Sequence, residues 1–142
     1  MRIGVYNGVN LNALGDRDAT LYGGISLNEL ETRIYHWAEE LGCSVRCFQT
    51  NHEGQLVDWL HDARSWADGI ALNPGAWTHY AWALHDAVEL IDAPVVEVHL
   101  SDIMAREAWR HHSVLEGVVQ HRIMGKGPDG YREALAWLVE RR

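Results

Sequence analysis

Lysine is almost missing from this chain of 142 residues, where Lys126 stands beside eleven arginines. Lys+Arg total 12 against 20 Asp+Glu, which gives a formal net charge of −8. An acidic chain without a basic stripe lacks the electrostatic footprint of a general nucleic-acid-binding protein, and it has no polybasic patch for a membrane surface. We therefore expect no nucleic acid and no membrane among its partners.

Cysteines and long apolar runs are also scarce. No apolar run approaches the ~20 residues that a bilayer span needs, and Met1–Ile3 leads into a strand-like segment rather than a signal peptide. The two cysteines, Cys43 and Cys47, would lie roughly 13 Å apart along a strand, whereas a disulfide joins Cα atoms about 4.4 to 6.8 Å apart. The sequence therefore predicts free thiols and a cytoplasmic protein.

The chain does contain enough apolar material for a core. Apolar residues make up 47% of it, and a chain of this length buries roughly two-thirds of its unfolded surface. We expect one globular domain over residues 1–142.

Short β-branched runs alternate with amphipathic helical stretches. Ser26 and Glu29 form a capping box that begins a helix, and Gly42 ends it. Apolar residues at helical spacing predict further helices at 56–63, 81–91 and from about Pro128 onward. The predicted strands are Arg2–Tyr6, Ser44–Gln49, Gly69–Leu72, Pro94–His99 and, less regular, Val118–Ile123. This alternation predicts an α/β fold with a parallel sheet and helices on both faces.

Ligands bind at the carboxyl ends of the strands in such sheets, and polar residues stand at these ends here. Asn7, Asn51 and Asn73 each follow a predicted strand, and His99 ends another. Glu97 is two residues before His99, so both point to the same face, where a carboxylate can orient an imidazole. The spacing predicts an acid–base pair, because a lone core histidine is less expected at a strand end.

A long polar loop, Asn7–Gly24, follows the first strand and carries Arg17 and Tyr22. A phenol can act as a base at neutral pH only if its anion is stabilised by about 3 pKa units, or about 4 kcal/mol. One guanidinium about 4 Å away provides about that much at an effective dielectric constant near 20. Arg17 and Tyr22 could thus form a tyrosinate base, although from the residues alone the more common case is that both are surface loop residues.

Several other residues are weaker candidates. Arg106 and Arg110 are spaced to share a helical face, where they could bind an anion or form a solvated pair with Glu107. His111 and His112 are adjacent and diverge on a helix, which makes them poor metal ligands. The tryptophans at 37, 59, 66, 82, 109 and 137 are predicted to pack helices.

Six motifs resemble, in order and over nearly the whole chain, those of the type II 3-dehydroquinate dehydratases (type II dehydroquinases). They are Asn7–Arg17 continuing to Tyr22–Gly23, Phe48–Gly54, Asn73–His79, Glu97–Ser101, Ala105–Glu107 with Arg110–Ser113, and Gly127–Tyr131. The resemblance implies a flavodoxin-like, three-layer α/β/α fold with a five-stranded parallel sheet in the order 2-1-3-4-5. It also implies a homo-oligomer, a dodecamer built from trimers.

The same resemblance implies anti elimination of water from 3-dehydroquinate through an enolate, without a metal or cofactor, in the shikimate pathway or in quinate catabolism. By motif position, Tyr22 is expected to take the C2 proton, with Arg17 stabilising its anion, in a mobile loop of about residues 15–24. His99, oriented by Glu97, is expected to protonate the departing hydroxyl. Asn10 is expected to hold a water molecule at the enolate oxygen.

The resemblance further assigns residues to substrate binding. Asp86 corresponds to a residue that a neighbouring subunit contributes to the site. The groups expected to bind the substrate's carboxylate and hydroxyls are Asn73, His79, Arg110 and the backbone of Leu100 and Ser101.

Some residues depart from the family's usual ones, which leaves other functions open. These are His85, Met104, His121 and Asp102, and the last adds negative charge beside the anion-binding Ser101. They motivate the alternative of a divergent dehydratase acting on a related cyclic hydroxy-acid. A non-catalytic flavodoxin-like binding module is a third hypothesis, but no glycine-rich phosphate cradle opens the first helix.

Overall fold

The computed structural model describes residues 1–142. The strands are β1 (Arg2–Asn7), β2 (Ser44–Gln49), β3 (Gly69–Asn73), β4 (Val95–His99) and β5 (His121–Met124). The α-helices are α1 (Ala19–Tyr22), α2 (Leu27–Leu41), α3 (Glu53–Ala63), α4 (Trp82–Glu89) and α5 (Asp129–Val139). Short 3-10 segments cover Leu11–Asp16, Gly75–His79, Ile103–Ala105 and Ala108–Arg110.

The five strands form one sheet in the order β2-β1-β3-β4-β5, and every neighbouring pair is parallel. This confirms the predicted fold class and strand order. Asn7 and Asn73 are register partners at the ends of β1 and β3, in the middle of the sheet.

Two apolar cores, one on each face of the sheet, follow from the alternation along the strands. Ile3 and Val5 point to the face covered by α2 and α5, whereas Ile70 and Leu72 point to the face covered by α3 and α4. All four side chains have no exposed surface. By the same alternation, Asn73 points toward α5, and Glu97 and His99 point toward the α4 side.

Helix α2 begins and ends as its sequence predicts. The Ser26 hydroxyl accepts from the Glu29 N–H at 3.1 Å, and Gly42 takes a left-handed conformation with φ of 72°. Both caps satisfy backbone groups that the helix itself leaves unpaired.

Strand β5 begins later than predicted. Val118 and Val119 follow Gly117, which has φ of 89°, and form a turn. Their N–H groups donate to the Leu115 carbonyl. Pairing with β4 starts only at His121, opposite Val96.

Two tryptophans also differ from expectation. Trp82 is 57% exposed and Trp109 is 53% exposed, so neither packs a helix against the core. Cys43 and Cys47 are free thiols, as predicted. None of the helices has the length and apolar content of a membrane-spanning segment.

Candidate active site

A cleft opens at the carboxyl edge of β1, β3 and β4. Its walls come from the segments that follow these strands. Asn51, at the end of β2, is exposed and stays outside; its side-chain oxygen accepts from the Asn10 N–H at 2.9 Å. Asn7, at the end of β1, is fully buried and does not line the cleft either, so only Asn73 and His99 of the four polar strand ends meet there.

The cleft is positively charged although the chain is acidic. Arg17, Arg106 and Arg110 line it together with His79 and His99, and no Asp or Glu is among the lining residues. Such a lining attracts a small anion, such as a carboxylate.

Tyr22 lies at the cleft with two guanidinium groups on its hydroxyl. Arg17 donates to the phenolic oxygen at 2.6 Å and Arg106 donates at 2.7 Å, while the tyrosine is only 8% exposed. The Arg17 guanidinium also lies 3.9 Å from the centre of the ring. The two positively charged donors are placed to stabilise negative charge on this oxygen.

Arg106 was placed wrongly by the sequence interpretation. The segment forms two short 3-10 turns rather than one helix, so Arg106 and Arg110 do not share a helical face. Arg106 turns to Tyr22 and also donates to the Ser101 hydroxyl at 3.2 Å, whereas Arg110 pairs with Glu107 at 2.7 Å. No local sequence pattern shows which of the two arginines contacts Tyr22. The rule that ligands bind at strand ends predicts only that both lie near the cleft.

His99 and Glu97 form the predicted pair. The His99 Nε2 atom lies 2.5 Å from a Glu97 carboxylate oxygen, and the two residues are 5% and 0% exposed. Because Nε2 is engaged, Nδ1 is the ring nitrogen left for a ligand. Burial would raise the pKa of Glu97, but hydrogen bonds from His99, Thr78 and Ser113 hold that pKa below its ordinary value.

His79 stands beside His99, with their ring centres 6.5 Å apart. Its Nδ1 lies 2.7 Å from the His112 carbonyl oxygen, which can only accept, so Nδ1 carries a proton. Burial lowers the pKa of His79, and the positive charges of His99 and Arg110 act in the same direction. Neutral His79 therefore offers Nε2 as a hydrogen-bond acceptor.

Asn73 is held by a buried network that the sequence analysis missed. Its side-chain nitrogen donates to the Tyr131 hydroxyl at 2.8 Å, and that hydroxyl donates to the Asn7 side-chain oxygen at 2.5 Å. The Gly75 N–H donates to the Asn73 oxygen at 3.1 Å. These contacts fix the orientation of the amide at the cleft, and only the tertiary fold brings Tyr131 to it.

Leu100 and Ser101 form the turn that follows β4 and line the same cleft. Their carbonyl oxygens accept from the N–H groups of Gly127 and Gly125, at 3.0 and 3.1 Å. Both glycines have positive φ, which lets the chain after β5 approach this turn closely.

Two residues implied by the resemblance do not line the cleft. Asn10 is exposed and left-handed, with φ of 68°, immediately before the lining residue Leu11. Asp86 is exposed on the outer side of α4. Within one chain, neither is brought to Tyr22 and His99.

The departures from the usual family residues also lie outside the cleft. Asp102 was expected to add negative charge at the anion site, but its carboxylate accepts from the Met104 N–H at 3.0 Å and does not line the cleft. His121 stacks on Trp137, with ring centres 5.1 Å apart. His85 bonds to the Val114 carbonyl on the α4 side.

One group of side chains has ligand atoms close enough together for a metal ion. His85, Asp86 and Glu89 on α4 bring one ligand atom each to within 4.8 Å of one another. Exposed acidic residues show this spacing without a metal, and the group is separate from the cleft.

Comparisons with known proteins agree with the geometry. The family model described as dehydroquinase class II matches residues 1–139. A protein from Bacillus pumilus named 3-dehydroquinate dehydratase is 49% identical over 135 residues, covering 95% of this chain and 92% of its own. A second protein of that name, from Anoxybacillus flavithermus, is 46% identical over 140 residues, covering 99% of this chain and 95% of its own.

Solved structures give the same result. The crystal structure of a type II dehydroquinase from Propionibacterium acnes superposes with a TM-score of 0.94 at 41% identity, covering 98% of this chain and 96% of the other. A 3-dehydroquinate dehydratase-like protein from Bifidobacterium longum reaches a TM-score of 0.75 at 29% identity, covering 99% and 96%.

Proposed function

This chain belongs to the class II dehydroquinase family, and from that membership and its cleft we propose that it dehydrates 3-dehydroquinate to 3-dehydroshikimate. The observation that carries the proposal is the Tyr22 hydroxyl, which accepts from two guanidinium groups in a cleft that also holds His99. A cleft lined by three arginines and no carboxylate suits a substrate that is itself a carboxylate.

The reaction is an elimination in two steps. Tyr22, as the phenolate stabilised by Arg17 and Arg106, takes the proton from C2, and the electrons of the C–H bond form an enolate with the neighbouring ketone. His99 then protonates the C1 hydroxyl through Nδ1. The enolate collapses back to the ketone, the C1–C2 double bond forms, and the C1–O bond breaks, so that water leaves from the opposite face. Glu97 orients His99 for this step. No metal or cofactor takes part, because Tyr22 and His99 supply both proton transfers.

The substrate is held by groups around this pair. The Arg110 guanidinium and the N–H groups of Leu100 and Ser101 donate to the carboxylate and hydroxyls. Neutral His79 accepts from a hydroxyl through Nε2, and Asn73, fixed by Tyr131, donates or accepts through its amide.

Asn10 would hold a water molecule at the enolate oxygen. Its place at the start of the Leu11–Asp16 segment, next to a lining residue, supports this role. A water molecule bridges the distance that the side chain itself does not span.

We also propose that the chain assembles into a dodecamer of trimers in which Asp86 completes the site of a neighbouring subunit. Trp82, Tyr80 and Leu90 flank Asp86 and are 57%, 61% and 54% exposed. Large exposed apolar side chains in one region are typical of an interaction surface.

Size-exclusion chromatography with light scattering tests the assembly. We expect a mass near twelve chains of 16.1 kDa, a smaller particle for Trp82→Glu, and an unchanged particle with reduced kcat for Asp86→Ala. A monomer with full activity would contradict the proposal.

We propose a cytoplasmic enzyme of the shikimate pathway or of quinate catabolism, formed as one domain over residues 1–142, with residues 15–24 as the mobile loop. The family match over residues 1–139 supports the single domain.

Turnover of 3-dehydroquinate by the purified protein tests the function directly. The conjugated enone product absorbs in the ultraviolet, and we expect its formation to be equally fast with and without a chelator. Related cyclic hydroxy-acids provide the comparison. A higher kcat/KM for one of them would replace the proposed substrate, and no turnover of any would reject an enzymatic role.

A further inference from the structure

Two buried hydroxyl groups contact the carboxylate behind His99. Thr78 lies in the segment after β3 and Ser113 in the loop before Val114, and they are 0% and 1% exposed. Thr78 Oγ1 lies 2.6 Å from Glu97 Oε2, and Ser113 Oγ lies 2.9 and 3.0 Å from the two carboxylate oxygens.

The direction of these hydrogen bonds follows from counting protons. Ser113 Oγ accepts from the Leu115 N–H at 3.1 Å, so its single proton is left for Glu97. Thr78 has one hydroxyl proton, and its shortest contact is the Glu97 carboxylate. Both hydroxyls therefore donate to the same carboxylate that accepts from His99 Nε2.

The two hydroxyl donors matter because, apart from His99, no other side chain stabilises the negative charge of Glu97. It is fully buried, and the only ion pair it forms is with His99. A buried carboxylate with too few donors favours its neutral form. Without the hydroxyls, the proton shared between His99 Nε2 and Glu97 would lie closer to the carboxylate, and the ring would be a weaker proton donor at Nδ1.

We infer that Thr78 and Ser113 are positioning residues for the proton donation by His99, acting through Glu97. This inference rests on the proposed function, in which His99 is the general acid. The same two residues also connect the loops around the cleft, since the Val114 N–H donates to the Thr78 carbonyl at 2.7 Å.

Two substitutions at Thr78 separate the hydrogen bond from packing. Thr78→Val keeps the branched shape and removes the hydroxyl, whereas Thr78→Ser keeps the hydroxyl and removes the methyl group. We expect Thr78→Val and Ser113→Ala each to lower kcat about 10- to 100-fold, as for loss of a hydrogen bond to a charged group. KM should stay within about twofold, because neither residue lines the cleft.

The matched controls are Thr78→Ser, expected to keep most of the wild-type kcat, and Thr32→Val on the exposed side of α2. Circular dichroism and thermal unfolding check that each variant folds. If Thr78→Val does not fold, Ser113→Ala provides the test. The inference is overturned if both hydroxyl-removing variants keep the wild-type kcat, if only KM changes, or if Thr78→Ser loses as much kcat as Thr78→Val.

Nitrogen-15 NMR of the His99 ring gives a readout that does not depend on turnover. We expect a proton on Nε2 in the wild type and its displacement toward Glu97 in Thr78→Val. An inactive wild type with this NMR pattern would reject the proposed function and keep the role of the hydroxyls. Identical ring signals in both proteins would reject that role.

Discussion

The hydroxyl oxygen of Tyr22 accepts hydrogen bonds from two positive groups that come from distant parts of the chain. Arg17 belongs to the loop after β1, and Arg106 belongs to the loop after β4, yet both donate to the same oxygen. Charge-assisted hydrogen bonds of this kind are roughly twice as strong as neutral ones. Both donors reach the Tyr22 hydroxyl only when both loops are in place.

Removing either guanidinium should lower the rate of proton abstraction. We expect Arg106→Ala and Arg17→Ala each to lower kcat about 10²- to 10³-fold, the range for loss of one preorganised electrostatic contact. Arg33→Ala, on the exposed side of α2, is the control and should leave kcat unchanged. Steady-state kinetics measures all three, and near wild-type kcat in both cleft variants would reject the role of the arginines.

Helix α1 and the residue that ends it fix the places of Arg17 and Tyr22 relative to the rest of the cleft. Asp18 caps the helix by accepting from the Thr20 N–H at 2.9 Å, and Gly23 ends it with φ of 89°. A Cβ atom at Gly23 would lie 2.7 Å from Pro128 Cδ, so the segment lies directly on the start of α5.

A side chain at Gly23 should therefore displace this segment. We expect Gly23→Ala to lower kcat/KM at least about tenfold, because a 1 Å misplacement of a catalytic group can cost about 10²-fold. Gly42→Ala is matched, because Gly42 also has positive φ, at 72°, but has open space around it and ends α2 away from the cleft. Both variants should lose stability, and only Gly23→Ala should lose activity; equal kcat/KM values would contradict the account.

The elements were predictable where local chemistry determines them. The caps of α2, the buried strands and the Glu97–His99 spacing follow from the sequence within a few residues. Two features were not predicted. A local turn, in which the Val118 and Val119 N–H groups donate to the Leu115 carbonyl, delays the start of β5. A long-range contact with Tyr22 places Arg106 apart from Arg110. Trp82 is exposed on α4, although the sequence analysis assigned it, with other tryptophans, to helix packing.

At the scale of the whole molecule, the protonation of buried groups couples the cleft to folding. Burial lowers the pKa of His79 below the ordinary value of 6.5, so folded His79 binds fewer protons than unfolded His79 below that pH. Glu97 behaves in the same way below 4.5, because its hydrogen bonds lower its pKa.

Both groups make the free energy of unfolding fall on acidification. We expect the loss to begin as the pH drops below 6.5 and to steepen below 4.5, as measured by urea unfolding at a series of pH values. His79→Gln should show a flatter dependence between these two pH values. A wild-type stability that is constant from pH 7 to 5 would contradict the inferred neutral state of His79.

The measurement that tests the central claim most directly is the kcat of Tyr22→Phe for 3-dehydroquinate in the presence of a chelator. Tyr35→Phe, at a half-exposed site on α2, is the matched control. We predict that Tyr22→Phe lowers kcat about 10²- to 10⁴-fold, as expected for loss of a general base, and that Tyr35→Phe leaves it unchanged. A folded Tyr22→Phe variant with nearly wild-type kcat would show that Tyr22 is not the base.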